Sequence, residues 1–246
     1  LSSAASDVYK RQDNGLDWTS TIAIIPWNIY LFYGDSKLLA DCYENIKRYV
    51  DYVDRTSPSG LTSWGRGDWV PVKSHSSKEL TSSVYFYVDT KILANAAKLF
   101  NKQEDYKHYQ ALAEKIRQAI NGKYLNRETG IYASGVQTEL SVPLMWGIVP
   151  KDMKAKVARN LAKKVEEAGF HLDVGVLGAK AILNALSENG EAETAYKVAA
   201  QDTYPSWGCW IANGATTLLE NWDLNATRDI SDNHICLLYT SPSPRD

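Results

Sequence analysis

Residues 35–53 read DSKLLADCYENIKRYVDYV, and this stretch decides the fold class. Its apolar side chains recur at intervals of three and four residues, the spacing that lines one face of an α-helix. They are Leu39, Tyr43, Ile46, Tyr49, Val50 and Val53. Asp35 follows Gly34 and is a residue type that favours the N-cap position, so we expect the helix to begin there. The pattern predicts an amphipathic helix with one face in a core.

The same helical period recurs along most of the chain. Further helices are predicted over residues 84–99, 106–124, 153–165, 176–186 and 191–200, and weaker patterns cover 19–33, 136–146 and 215–222. Asn101, with Glu104 three residues later, has the pattern of a capping box at the start of one of them. The result is about nine helices in antiparallel pairs, with no alternation that would support a sheet. The sequence therefore predicts an all-α fold.

Composition excludes two broad classes of protein. The chain has 246 residues, of which 44% are hydrophobic and 23% charged, and its formal net charge is −2. No apolar run approaches the length of a membrane-spanning helix, and the sequence contains no block of basic residues. We therefore expect neither a membrane partner nor a nucleic-acid partner. The oligomeric state and the cellular compartment stay open.

The two ends of the chain differ in origin from the rest, on our interpretation. Residues 2–12, SSAASDVYKRQ, and residues 236–246, CLLYTSPSPRD, back-translate to nucleotide sequences that are reverse complements over part of their length. Both are similar to transposase-type sequencing adapters translated in frame. We therefore interpret residues 1–12 and 236–246 as adapter-derived and residues 13–235 as a partial helical domain.

Common catalytic and metal-binding motifs are missing from the sequence. It lacks the patterns GxSxG, HExxH, GxxxxGK[ST] and GxGxxG. Its four histidines are scattered at positions 75, 108, 171 and 234, so a zinc site is not expected. We therefore expect no metal and no cofactor.

Carboxylates beside indole rings are the remaining chemical signal. The chain has eight Trp and 15 Tyr against four Phe, a bias toward rings that carry a polar group. Acidic and indole side chains lie together in three stretches, which are DW at 17–18, GDW at 67–69 and GATTLLENWD at 214–223. Sugar C–H groups stack on indole rings, sugar hydroxyls need polar acceptors, and glycoside hydrolysis needs a pair of carboxyl groups. The pattern favours a carbohydrate site.

Five stretches together resemble one known family. They are DWTSTIAIIPW (17–27), GRGDWVPVKS (65–74), LSENGEAETAYKVAAQDTYPSWG (186–208), NGATTLLENWD (213–223) and SDNH (231–234). In this order they are similar to the catalytic domain of bacterial α-L-rhamnosidases of the inverting six-hairpin type. The resemblance implies that residues 13–235 form a partial (α/α)6 barrel, a six-hairpin toroid that is incomplete at the N-terminus. It also implies a glycosidase that hydrolyses terminal α-L-rhamnosides with inversion.

The resemblance implies roles for five residues. Glu220 corresponds to the general base that activates the attacking water, and Trp18 and Trp69 correspond to tryptophans that line the rhamnose pocket. His234 corresponds to a histidine that contacts the sugar, and Asp68 lies in the adjoining loop as a further substrate-binding residue. The family's general acid lies upstream of the first matching stretch, so we expect the residues present to be inactive on their own. The implied partner is a rhamnose-containing glycoside or polysaccharide.

Two other functions are compatible with the sequence. A different six-hairpin glycosidase would share the fold and the acid–base plan but would act on another sugar. A non-catalytic helical binding scaffold would need a sustained repeat period, and the unequal helices and loops do not provide one.

Each candidate residue also has a purely structural interpretation. Glu220 suits a solvated helix end, and both tryptophans suit plain packing. His234 suits an ordinary loop, and Asp68 suits a cap of nearby backbone N–H groups. Glu139 lies on a predicted helical face, where we expect it to be solvated.

Overall fold

The computed structural model describes residues 15–228, which form ten helices and one pair of two-residue strands. The helices are α1 (Leu16–Thr19), α2 (Thr21–Tyr33), α3 (Lys37–Thr56), α4 (Lys78–Leu99), α5 (Gln103–Tyr124), α6 (Gln137–Met145), α7 (Lys154–Glu167), α8 (Val176–Ser187), α9 (Ala192–Ala199) and α10 (Trp207–Ala212). The paired strands, between α5 and α6, are β1 (Leu125–Asn126) and β2 (Ile131–Tyr132). The predicted all-α class is confirmed. His234 and the stretches 1–12 and 236–246 lie outside the described residues.

The described residues fall into two compact units. One holds residues 15–67 and 77–125, and with them α1 to α5. The other holds residues 68–76 and 126–228, and with them α6 to α10. No helix between residues 15 and 228 combines the length and the apolar character that crossing a bilayer requires.

In the unit of α1 to α5, one helix is enclosed almost all round. α4 packs against both α3 and α5 and is buried along most of its length. α3 and α5 each bury a single face, and the buried face of α3 consists of Leu39, Tyr43, Ile46, Val50 and Val53. This confirms the face predicted for α3, with Tyr49 half-buried at its edge.

The apolar period predicted over residues 84–99, which lie within α4, is only partly matched by burial. Val84, Val88, Ile92 and Ala96 are buried, whereas Leu99 at the end of the helix is exposed. The opposite side is buried too, because α4 has a neighbouring helix on more than one side. A helix enclosed in this way has no single apolar stripe to read.

The unit of α6 to α10 repeats the same division between enclosed and amphipathic helices. α6 and α8 pack against each other and are buried along most of their length. α7 and α9 bury one face each, against α6 and α8. Apolar residues of α7 at the predicted spacing, Val157, Leu161 and Val165, are all buried.

Two predicted N-caps are each wrong by one residue. The N-cap of α3 is Ser36 rather than Asp35, whose Oδ1 instead accepts a hydrogen bond from Lys37 N at 2.8 Å. Asn101 does not cap α5, because it has a left-handed backbone (φ 57°) that ends α4. Lys102 N donates to Ala97 O at 2.8 Å and Asn101 N donates to Lys98 O at 3.2 Å. These are the two bonds of a Schellman motif.

The helix predicted over residues 215–222 is absent, and α10 forms in the segment before it. The side chain of Ser206 accepts a hydrogen bond from Cys209 N at 3.0 Å and so caps the start of α10. Gly214 ends the helix with φ 89°, and Ala215 N donates back to Trp210 O at 2.9 Å. The glycine therefore separates the apolar residues that follow it from the helix.

Candidate functional site

Two predicted site residues from distant stretches meet in the unit of α6 to α10. The indole N–H of Trp69 donates a hydrogen bond to Oε1 of Glu220 at 3.1 Å, although 151 residues separate the two in the chain. Both residues are half-buried. The contact occupies Oε1, one of the two oxygens through which the carboxylate can accept hydrogen bonds.

The segment that carries Glu220 has no regular secondary structure and is fixed by tryptophan contacts. Trp222 is buried and donates its indole N–H to Val174 O at 2.7 Å. Its ring stacks on that of Trp210 in α10, with 4.6 Å between ring centroids and 19° between ring planes. A stacked, hydrogen-bonded indole two residues after Glu220 restricts how far the backbone of Glu220 can move.

Asp68 lies directly before Trp69, and hydrogen-bond donors surround its buried carboxylate. Oδ1 accepts from Leu177 N at 2.8 Å and Gly178 N at 3.1 Å. Oδ2 accepts from Gly175 N at 2.7 Å and from the hydroxyl of Thr138. Burial raises the pKa of Asp68, and the four hydrogen bonds oppose that shift by stabilising the charged form.

The amides of Gly175, the N-cap residue of α8, and of the first three residues of α8 all donate to residues 68 and 69. Three of them bind the Asp68 carboxylate, and Val176 N donates to Trp69 O at 2.9 Å. These are the amides that a helix leaves without an intrahelical acceptor. Gly175 makes the approach possible, since a Cβ at this position would lie 2.2 Å from Trp69 O.

The backbone immediately after Trp69 is strained. Val70 has φ 54°, a left-handed conformation that is a genuine outlier for a β-branched residue. Farther along the loop, the carboxylate of Asp173 accepts hydrogen bonds from Lys73 N at 2.8 Å and from Ser74 N at 3.0 Å. Burial opposes ionisation of Asp173, but the hydrogen bonds outweigh it and lower its pKa. The strained residue is thus held between two anchored segments.

Comparison with known proteins identifies the family. The family described as the bacterial α-L-rhamnosidase six-hairpin glycosidase domain matches residues 3–240. The chain belongs to this family. It is 30% identical over 207 residues to an α-L-rhamnosidase from Streptomyces avermitilis, a match that covers 84% of this chain and 20% of that protein. An α-L-rhamnosidase from Formosa agariphila is 28% identical over 214 residues, which are 84% of this chain and 23% of that protein.

Solved α-L-rhamnosidases share the fold of this family member. The structure from Dictyoglumus thermophilum has a TM-score of 0.85 and 37% identity, covering 92% of this chain and 26% of that chain. The Streptomyces avermitilis structure complexed with L-rhamnose has a TM-score of 0.81 and 29% identity, covering 87% of this chain and 21% of that chain. The predicted six-hairpin fold is confirmed. The chain spans about a fifth to a quarter of the length of these rhamnosidases.

Trp18, the other tryptophan implied by resemblance to the rhamnosidases, lies in α1, in the unit of α1 to α5. Its neighbour Asp17 accepts hydrogen bonds from Arg66 N at 3.0 Å and Gly67 N at 2.7 Å. Burial raises the pKa of Asp17, and these bonds oppose the shift. A role for Trp18 at the sugar stays a prediction, as does the role of His234, which lies outside the described residues.

The four donors on Asp68 support its structural interpretation as a cap. Three of its partners are backbone N–H groups at the start of α8, more than a hundred residues later, and the fourth is the hydroxyl of Thr138. Because all its acceptor positions are occupied, its direct contact with sugar stays a prediction without support from the geometry.

Sequence reasoning missed three residues of this region and misjudged a fourth. Gly175 and Asp173 lie outside the quoted motifs, and Val70 lies in the stretch 65–74 without a residue type that signals a left-handed backbone. The paired glycines at 175 and 178 could have signalled a close approach of another segment. Glu139 is buried, not solvated, and accepts hydrogen bonds from Ser134 and Gly135. Its carboxylate turns back from the first turn of α6 to cap the preceding loop. Among residues 15–228, no cluster of His, Cys, Asp and Glu could hold a metal ion.

Proposed function

We propose that the chain contributes the general base and part of the sugar pocket of an inverting α-L-rhamnosidase. Glu220 is the proposed base. The observation that carries the proposal is the hydrogen bond from the Trp69 indole to Glu220 Oε1 at 3.1 Å, in a chain of the α-L-rhamnosidase family. It pairs a carboxylate with an aromatic ring suited to sugar stacking.

The geometry supports different roles for the two oxygens of the Glu220 carboxylate. Oε1 holds the indole N–H, which fixes the side-chain orientation, and Oε2 takes a proton from water. The water then attacks the anomeric carbon on the face opposite the leaving group, while a second carboxyl group protonates the glycosidic oxygen. The water needs room between the two carboxyl groups, which stand roughly 6.5–9.5 Å apart in inverting enzymes. By resemblance, the acid belongs upstream of residue 17.

The proposed substrate is a terminal α-L-rhamnoside of a glycoside or polysaccharide. The relatives are named α-L-rhamnosidases, and one of them was solved with L-rhamnose. We assign stacking on the sugar to Trp69 and Trp18, a polar contact to His234, and an indirect role to Asp68. Residues 13–235 are proposed as part of the (α/α)6-barrel catalytic domain, and residues 1–12 and 236–246 as lying outside it.

Replacement of the base tests this function. In the full-length protein that carries these residues, Glu220→Gln keeps the shape and removes the proton acceptor. We expect kcat on 4-nitrophenyl α-L-rhamnopyranoside to fall by about 10²–10⁴-fold, with rhamnose binding retained. The matched control is Asp223→Asn, an exposed carboxylate of the same loop, which should leave kcat unchanged. Wild-type turnover in E220Q would remove Glu220 from the mechanism.

A panel of chromogenic glycosides tests the sugar. We expect hydrolysis of the α-L-rhamnoside and at least tenfold less of other glycosides. Preference for another sugar would favour a different six-hairpin glycosidase. Binding of rhamnose with no hydrolysis of any glycoside would favour a non-catalytic scaffold.

A further inference from the structure

The turn at residues 68–70 is held more firmly than a loop of its length requires. Four consecutive amides, those of the N-cap and the first three residues of α8, bind Asp68 and Trp69, and the hydroxyl of Thr138 adds a fifth donor. The next residue, Val70, is kept in a left-handed conformation with φ 54°. Such strain persists only where the surroundings determine the backbone, and it concentrates at functional sites.

We infer that Asp68 is a positioning residue, which anchors the backbone of Trp69 on the start of α8 and thereby holds the Trp69 indole N–H on Glu220. This inference rests on the proposed function of Glu220. Asp68 itself touches neither the base nor the sugar in this assignment. It acts through the one peptide unit that joins it to Trp69.

The chemistry of the anchor requires a carboxylate. All the groups around Asp68 donate hydrogen bonds, and an ionised carboxylate offers about four acceptor positions and no donor. The start of α8 also carries the positive end of the helix dipole, which favours a negative charge there. An asparagine amide would turn its NH2 group toward N–H donors and lose half of the anchor.

The length of the Trp69–Glu220 contact makes it sensitive to the anchor. At 3.1 Å it lies near the long end for an N–H···O bond. Because the indole moves rigidly about two torsions, a backbone shift of about 1 Å at residue 69 would break the bond, and misplacement of that size costs up to about 100-fold in rate. The segment that carries Glu220 is held by a separate contact, in which the Trp222 indole N–H donates to Val174 O.

The first test needs no turnover and uses the chain as it is. Tryptophan labelled with ¹⁵N gives one indole N–H signal for each of the eight Trp residues, and Trp69→Phe assigns the signal of Trp69. We expect Asp68→Asn and Glu220→Gln each to shift that signal. Glu139→Gln is the matched control, a buried carboxylate that accepts two backbone N–H groups of another loop, and it should leave the signal in place.

The second test measures turnover in the full-length protein. We expect D68N to lower kcat by about 10–100-fold with KM changed less than threefold, and E139Q to lower the melting temperature alone. In the W69F background, D68N should lower kcat no further, because the indole through which it acts is gone. A merely structural role would reduce kcat equally in both backgrounds.

The outcomes separate this inference from the proposed function. If E220Q keeps full activity, the proposed function fails, whatever D68N does. If E220Q is inactive while folded D68N keeps its kcat and its indole signal, the positioning role is overturned. If D68N does not fold, Thr138→Val carries the test, since it removes the hydroxyl that donates to Asp68 Oδ2 and leaves the backbone donors in place. T138V should then shift the Trp69 indole signal and lower kcat, and a folded T138V with an unchanged signal and an unchanged kcat would overturn the inference.

Discussion

At the level of single residues, three buried carboxylates between residues 15 and 228 accept hydrogen bonds from backbone N–H groups of loops or of a helix start. Asp17 binds residues 66 and 67, Asp68 binds the start of α8, and Glu139 binds the turn before α6. Burial of a charge is tolerated when charge-assisted hydrogen bonds replace its hydration. These carboxylates therefore fix backbone segments, whereas Glu220 accepts a hydrogen bond from an indole N–H at the candidate site.

Gly175 is the residue at which added volume should do the most harm to this arrangement. In Gly175→Ala, the new Cβ would lie 2.2 Å from Trp69 O and 2.9 Å from the carbonyl carbon of Asp68. We expect urea denaturation to show a free energy of unfolding lowered by about 1–3 kcal/mol. Gly122→Ala is the control, because nothing lies within 4 Å of its added Cβ in α5. It should gain about 0.5–1 kcal/mol, and equal stabilities of the two variants would contradict the close approach.

At the level of elements, helix ends decide which segments are free to carry the site. α10 is a six-residue helix, capped by Ser206 and ended at Gly214. Its short length puts Trp210 next to the irregular segment, where the ring of Trp222 can stack on it. Glu220 then lies in a loop held by packing, with its backbone not committed to helical hydrogen bonds.

The N-cap of α10 should make a measurable contribution to the free energy of unfolding. Ser206 is buried, and its Oγ accepts from Cys209 N at 3.0 Å. We expect Ser206→Ala to lower the free energy of unfolding by about 1 kcal/mol, the usual value of an N-cap side chain. Ser36 occupies the N-cap of α3 without a side-chain cap bond, so Ser36→Ala should change stability by less than about 0.5 kcal/mol. Chemical denaturation of both variants makes the comparison, and an equal loss would contradict the assigned cap.

At the level of the molecule, stability depends on pH through carboxylates with raised pKa values and through carboxylates with lowered ones. Burial raises the pKa values of Asp17 and Asp68. Their net contributions are therefore most favourable below the unfolded pKa of about 3.9 and decline as the pH rises through the folded values. Glu79 in α4 behaves in the opposite way, because hydrogen bonds from Lys123 and Tyr124 of α5 lower its pKa.

Glu79 gives a pH prediction of definite sign. Its contribution to stability is present above the unfolded pKa of about 4.3 and is lost as the pH falls through its lowered folded pKa. The melting temperature of Glu79→Gln should therefore lie below that of the wild type at pH 7, and the difference should shrink toward pH 3. Exposed Glu188→Gln is the control and should show a constant difference. A gap that widens in acid would have the wrong sign for this assignment.

Much of the fold could be predicted because an amphipathic helix has a recognisable period of apolar residues in its sequence. α3 and α7 each bury one face, so their apolar residues recur in the sequence with the period of a helix. α4 and α6 were harder to describe, since enclosure on several sides buries polar residues such as Thr81 and Gln137 beside apolar ones. The prediction of a helix end failed at Asn101, whose residue type suits the start of α5 but which instead closes α4, one residue before the N-cap of α5.

The amino-acid sequence by itself determined the helical class, the faces of the amphipathic helices, and, through its dispersed motifs, the likeness to α-L-rhamnosidases. Those properties depend on local periodicity and on residue identity, which the chain carries directly. Only the tertiary structure decided that the Trp69 indole meets Glu220, that Asp68 serves the backbone of α8, and that Val70 is strained. The physical reason is that a carboxylate's role depends on which donors surround it. Here the Trp69 indole and the Gly175 amide lie more than a hundred residues along the chain from the carboxylates that they bind.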